Sequence, residues 1–287
     1  MTLLHLEYVF LWFLFYSFCG WVYESILVSV KERRPVNRGF LNGPLCPIYG
    51  TGAVLGVELL GGIRNPAVLF AVSSLGACAL EYVTSWAMEK LFHARWWDYS
   101  HFRFNLNGRI CLLGAIVFGI GGVAIVDGVQ PWVAHVTGMI PLPVIHWVSF
   151  VCLVLIVVDT IVTVAGIVNF EQSLDQLSAI VAKYGDAMRE RVGDAVDAVG
   201  GASGRVGGLV GDKVNDMVGG AMNGPLQSGR EMSAEFMLKI RETADSVFNR
   251  QQRRMIASFP RLRTERNNEA LQQLRDAFDR MYRGRKG

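Results

Sequence analysis

No lysine or arginine precedes Lys31 in this chain of 287 residues, and only 18% of the residues are charged. Without a basic n-region or a small-residue cleavage site, the first apolar run reads as a retained anchor and not as a removable signal peptide. No CxxC occurs. Cys19, Cys46, Cys78, Cys111 and Cys152 all fall within or at the ends of apolar runs. That placement excludes a disulfide framework or a cysteine zinc site and leaves small packing residues. There is no G-x-x-x-x-G-K-[ST] loop, so the chain has no phosphate cradle of its own. The glycines at Gly119, Gly121 and Gly122 are embedded in apolar sequence and read as packing. No nucleophile–base pair stands out, which argues against an enzyme. No cofactor is implied. His93, Asp98 and His101 share one loop, but isolated loop histidines are commoner than zinc ligands, so no metal is assigned.

What the chain does have is apolar length. Apolar residues make up 51% of it, and five runs, 6–30, 44–60, 66–88, 110–126 and 142–168, are candidates to span a bilayer. A spanning helix needs roughly 20 mostly apolar residues. The first, third and fifth meet that length, while the second and fourth are shorter and rich in glycine. The expected fold is therefore all-α, a five-span transmembrane helical bundle over 1–168 with the lipid bilayer as its surroundings. Basic residues should mark the cytoplasmic loops. Lys31, Arg33, Arg34 and Arg38 lie between the first two runs, and Lys90, Arg95, Arg103 and Arg109 between the third and fourth. Arg64 is the single basic residue in the other loops of this region. The alternation predicts an N-terminus outside and a C-terminus inside. Segment 127–141, with Pro131 and Pro141 inside it and Pro143 just beyond, reads as an interfacial or re-entrant turn on the outer face.

The carboxylates Glu24, Glu58, Glu81 and Asp159 lie well inside apolar runs. A charge at mid-bilayer costs at least ~2.5 kcal/mol, so each must face protein or water. Applying the topology places Glu24, Glu81 and Asp159 in the cytoplasmic half and Glu58 near the outer surface. These first three are the candidate intramembrane polar site, suited to a cation, a proton or a hydroxyl-rich substrate. Asn42 and Tyr49, in the loop entering the second span, and Asp98 and Arg109, between the third and fourth, are its candidate supporting residues. Asp98 and Arg109 are also candidates for a local ion pair. The alternative is that the acids are protonated or paired and merely fix helix packing.

From Asn169 the composition becomes polar. Residues 169–287 read as a cytoplasmic helical tail, with a flexible Gly-rich part at about 192–230. Leu174, Leu177, Val181, Tyr184 and Met188 keep a helical spacing. Residues 231–259 read as helix stopped by Pro260, and 266–283 as a last amphipathic helix. The basic residues after 250 read as a solvated tail or as one drawn to anionic headgroups. No aromatics interleave them as base-stacking would require, so no nucleic acid is expected as a partner.

The motifs are specific in combination. Gly20-Trp-x-x-Glu24 comes first, followed by the loop Phe40-Leu-x-Gly-Pro-x-Cys-Pro-Ile-Tyr-Gly50. Glu81-Tyr82, Trp97-Asp-Tyr-Ser100 and Asn107-Gly-Arg-Ile-Cys111 then occur in order. Within the loop region, Gly52 and Gly56 offer a close-packing pair. The set resembles the bacterial family labelled ABC-transporter permease, of the CmpB type. The resemblance runs from about 6 to 168, with a looser echo at Phe259-Pro-Arg-Leu. It implies a multi-pass protein of the bacterial inner (cell) membrane, working with a separate ATPase subunit. Five spans are few for a complete pathway, so a homo-oligomer or a further membrane partner is expected. Two other readings stay open: a membrane-embedded enzyme acting on a lipid-linked substrate, and a scaffold that recruits partners through its tail.

Overall fold

The computed structural model describes residues 2–180 and 246–264, together with 182, 183, 242, 268, 271, 272 and 275. The expected Gly-rich part at 192–230 and most of the expected helices 231–259 and 266–283 lie outside the described residues. The chain divides into two compact units, Met1–Asn169 with Arg250–Glu265, and Phe170–Asn249 with Arg266–Gly287.

The first unit is built from helices whose ends are written in the sequence. Helix α1 (Leu3–Glu32) starts at Thr2, whose hydroxyl accepts from the His5 amide, and stops at Arg33 in the left-handed region. Helix α2 (Pro47–Leu60) begins with a proline, whose missing N–H costs nothing there. Helix α3 (Pro66–Phe92) combines a first-turn proline with Asn65, whose side chain accepts from the Ala67 and Val68 amides. Helix α6 (Leu142–Ile167) follows Pro141. Among the described residues, Leu3–Glu32, Pro66–Phe92, Leu112–Gly138 and Leu142–Ile180 are long and apolar enough to cross a membrane. Helix α2 is apolar but shorter.

One expectation is corrected here. Segment 127–141 is not a turn: α4 (Leu112–Val123) runs through a π-helical turn (Ala124–Val129) into α5 (Gln130–Gly138). The Gln130 amide reaches back five residues to the Ile125 carbonyl. The wider turn admits Pro131, which has no N–H to donate, without breaking the helix.

Packing alternates the helix directions. Glu24 near the end of α1 meets Tyr49 at the start of α2, while His5 at the start of α1 meets Glu58 at the end of α2. The closest crossings use glycines other than the expected pair. A Cβ on Gly50 would lie 2.1 Å from Ser17 Oγ, and one on Gly20 2.4 Å from the Tyr49 side chain, so α1 and α2 meet nearly backbone to backbone. Gly119 and Gly122 play the same part between α4 and α3, whereas Gly52 and Gly56 have ordinary van der Waals room. On α6 one narrow stripe faces protein, with Ile145, Ser149, Thr163 and Ile167 buried. Most of the remainder, including Trp147 at 69% and Leu155 at 62% exposure, is exposed apolar side chain. So large an apolar surface suits acyl chains, not water.

Four two-residue strands complete this unit. Strands β2 (Asn105–Leu106) and β3 (Ile110–Cys111) form a hairpin, and β1 (Ala94–Arg95) pairs antiparallel with β4 (Arg263–Thr264). Between them lies α7 (Arg250–Ser258). The expected helix ending at Pro260 is thus present at its end, but the backbone is non-helical at Phe248 and Asn249. In the second unit, residues 170–180 are helical. Phe170, Leu174 and Leu177 are buried there, and Phe170 packs on Phe248 with ring centroids 6.2 Å apart.

Candidate functional site

The polar chemistry gathers where α1 and α3 end and α2 begins. Glu24 accepts a 2.5 Å hydrogen bond from Tyr49 Oη, and its other oxygen lies 3.5 Å from Arg38 Nε. Glu81, buried on α3, accepts from Tyr99 Oη at 3.0 Å. The two carboxylates are near enough to feel each other's charge, and Arg38 feels Glu24, Tyr99 and Tyr49 together. Burial pulls the Arg38 guanidinium below its ordinary value, with Glu24 the strongest opposing influence. Burial likewise raises the Tyr99 hydroxyl, reinforced by Glu81, so Tyr99 is a neutral donor. Cys46, in the same loop, is buried.

Local sequence explains how Tyr99 arrives there. Residues 81, 85 and 89 are spaced by four on α3 and so share a face. Glu81 takes Tyr99, Ser85 accepts from Arg109 at 3.3 Å, and Glu89 pairs with Arg109 at 2.7 Å and Arg95 at 3.3 Å. That face holds Arg95, Tyr99 and Arg109 of the 95–111 loop. Asn107 and Gly108 both adopt positive φ, 54° and 67°, and turn the hairpin. The Gly108 carbonyl accepts from the Tyr99 amide at 2.8 Å. A Cβ on Gly108 would come within 2.6 Å of Asp98 Oδ1, so only glycine fits. The Asn-Gly pair is a hairpin signal that could have been read from the sequence.

The expected Asp98–Arg109 pair is corrected. Arg109 bonds Glu89, which the helix period brings to it, and Asp98 pairs with Arg263 at 2.6 Å. Asp98 also accepts from the Ser100 amide and hydroxyl at 2.9 and 2.8 Å.

Asp159 sits on the other side of the Asn42 loop. Its Oδ1 accepts from the Asn42 amide (3.0 Å) and side chain (2.9 Å), and its Oδ2 from the Gly43 amide (2.7 Å). Thr163 adds a hydroxyl donor at 3.3 Å. Asp159 therefore accepts from two successive backbone N–H groups, which pins the loop to α6. Glu24 and Glu81 are brought into one cluster with Tyr49, and no bond links Asp159 to either acid. Glu58 is far along α2, paired with His5 at 3.1 Å. Among the described residues no three His, Cys, Asp or Glu side chains gather as metal ligands would.

Sequence reasoning missed the tail's part in this region. Arg254 donates to the carbonyls of Gly39 (3.1 Å), Leu41 (2.9 Å) and Phe40 (2.6 Å). Arg38 donates to the Ser258 carbonyl at 3.1 Å and lies 4.2 Å over the Phe259 ring. Phe259 packs edge-on against buried Trp96 at 4.9 Å. The sole signal for this contact was the Phe259-Pro-Arg-Leu echo.

No curated protein and no solved structure matches the chain. A family model described as "Putative ABC-transporter type IV" does, over residues 11–164. That match spans more than half of the chain and runs from within α1 to within α6, including Glu24, Glu81 and the Asn42 loop. With helices apolar and long enough to cross a bilayer several times, this is a multi-pass membrane protein, and the chain belongs to the ABC-transporter type IV family of CmpB type.

Proposed function

We propose that this chain is a permease component of an ABC-type transporter in the bacterial inner membrane, and that a separate ATPase subunit drives it. The polar site is the pair Glu24 and Glu81 with Tyr49, Tyr99 and Arg38. Asp159 and Asn42 hold its loop, and Asp98 and Arg109 hold the segment that carries Tyr99. The observation that carries the reading is the convergence of two carboxylates, two tyrosine donors and one arginine at a single end of an apolar bundle. Acids inside apolar spans mark substrate or ion pathways by default. One arginine against two carboxylates leaves a place for a proton or a cation. The helices cross five times, α2 being the short one, with the N-terminus outside and residues 169–287 as a cytoplasmic tail. The alternation of basic loops supports that topology.

The test is purification of the full chain in mild detergent and identification of what accompanies it. An ATPase subunit whose turnover in proteoliposomes falls to background with Glu81→Gln is the expected result. A tightly held lipid with no ATPase would overturn the transport reading in favour of an enzyme on lipid-linked substrates. Single-cysteine labelling of Met139→Cys, Arg64→Cys and Ser228→Cys in intact cells checks the topology, Met139 lying exposed between Gly138 and Leu142. An impermeant reagent should reach the first two and not the third.

A further inference from the structure

The segment 250–264 is held by chemistry too specific for a solvated basic tail. Three consecutive carbonyls, from Gly39, Phe40 and Leu41, converge on the single guanidinium of Arg254 at 3.1, 2.6 and 2.9 Å. Charge-assisted bonds of this kind are about twice as strong as neutral ones; burial works against the Arg254 charge, and Asp159 offsets part of that. Phe259 fills the space between the Arg38 guanidinium and Trp96. Arg263 closes the far end on Asp98 while its strand pairs with β1.

Two of these anchors also belong to the carboxylate cluster. Arg38 is shared between Glu24 (3.5 Å) and the Ser258 carbonyl (3.1 Å). Asp98 precedes Tyr99, the donor to Glu81. Removing the segment would therefore take from Arg38 one acceptor and one aromatic face, and leave Glu24 as its remaining strong partner among those described. It would also strip Arg254 from the loop that Asp159 pins on its other side.

We propose that residues 250–264 are a latch: a tethered segment, seated by Arg254 in the Gly39–Leu41 carbonyl cradle, that closes the inner end of the Glu24–Glu81 cluster and opens when the tail is drawn away. This rests on the reading of that cluster as the functional site. The latch connects events in the tail to both acids, Glu24 through Arg38 and Glu81 through Asp98 and Tyr99.

The experiment uses the full chain in lipid nanodiscs, with Cys46 kept and the other four cysteines replaced by serine. Two rates are read: tryptic cleavage after Arg261 and Arg263, and maleimide labelling of Cys46, which is buried in the cradle loop. With Arg254→Gln both rates should rise roughly ten-fold, the change that loss of even one charge-assisted hydrogen bond produces. Asp98→Asn, which cuts the other anchor, should raise the cleavage rate in the same direction and carries the test if Arg254→Gln does not fold. Unchanged cleavage in a folded variant would overturn the latch. Faster cleavage with unchanged Cys46 labelling would also overturn it, since the segment would then be packing without reach into the cluster. Neither rate needs a transport assay, so a Glu81→Gln variant with full activity would remove the site reading while leaving these measurements to judge the seat alone.

Discussion

The two ends of the helical unit use the same residue types in opposite ways. Where α1 begins, polar groups pair off: His5 with Glu58 at 3.1 Å, His146 with Glu7 at 2.7 Å, Trp12 with Thr137 at 3.0 Å. The two histidines are 38% and 50% exposed, so water can replace either partner. Where α1 ends, the partners are shared. Arg38 serves Glu24 and Ser258, and Arg109 serves Glu89 and Ser85. Asp98 serves Ser100 and Arg263. An isolated exposed pair contributes little and can be cut alone, whereas shared groups couple, and cutting one disturbs several.

The largest expected effect lies in activity. Glu81→Gln should abolish ATPase-coupled turnover while Glu58→Gln leaves it unchanged; equal effects at the two ends would erase the distinction. Next comes the α1–α2 crossing on which the shared end is built. Gly50→Val would force side-chain atoms against Ser17 Oγ and the Phe13 carbonyl, costing about 3 kcal/mol in a thermal melt. Gly62→Ala, with open space around it, should be silent. Asp159→Ala frees the Asn42 and Gly43 donors and should cost about 2–3 kcal/mol, visible as faster Cys46 labelling. Tyr16→Phe removes the 2.9 Å bond to Gln130 and should cost about 1 kcal/mol, with no change in turnover.

The smallest effect is acid sensitivity at Asp98. Burial raises its carboxyl, but the Ser100 amide and hydroxyl, then Arg263 and Arg95, outweigh that and hold it below the ordinary value. A folded value below the unfolded one means the stabilisation is complete above about pH 4 and fades as pH falls through the folded value. Hydrogen exchange at the Arg263 and Thr264 amides should quicken over that range, and exchange at His5 should not follow it.

Much of the fold was legible because apolar length is a local property. The runs at 6–30, 66–88 and 142–168 correspond closely to α1, α3 and α6. The stretch after Val126 was not, because a π-helical turn absorbs Pro131 and a proline otherwise signals a stop. At the site, the sequence singled out Glu24, Glu81 and Tyr49, since acids in apolar runs are conspicuous. It could not assign partners. Arg109 lies closer in sequence to Asp98, yet the four-residue period of α3 delivers Glu89 to it. The seat of Arg254 was invisible for a simpler reason: its three acceptors are backbone carbonyls, which carry no side-chain signature.

The chain separation across that seat sets an order of events. Leu41 and Arg254 are 213 residues apart, and translation at about 5–20 residues per second leaves the cradle waiting roughly 10–40 seconds for its arginine. Through that interval the helices around Glu24 can enter the bilayer while the carbonyls of Gly39, Phe40 and Leu41 remain solvated. The Arg254 seat can therefore form only late in synthesis, and a nascent chain stalled before residue 250 would hold its helices with the Gly39, Phe40 and Leu41 carbonyls still lacking their arginine.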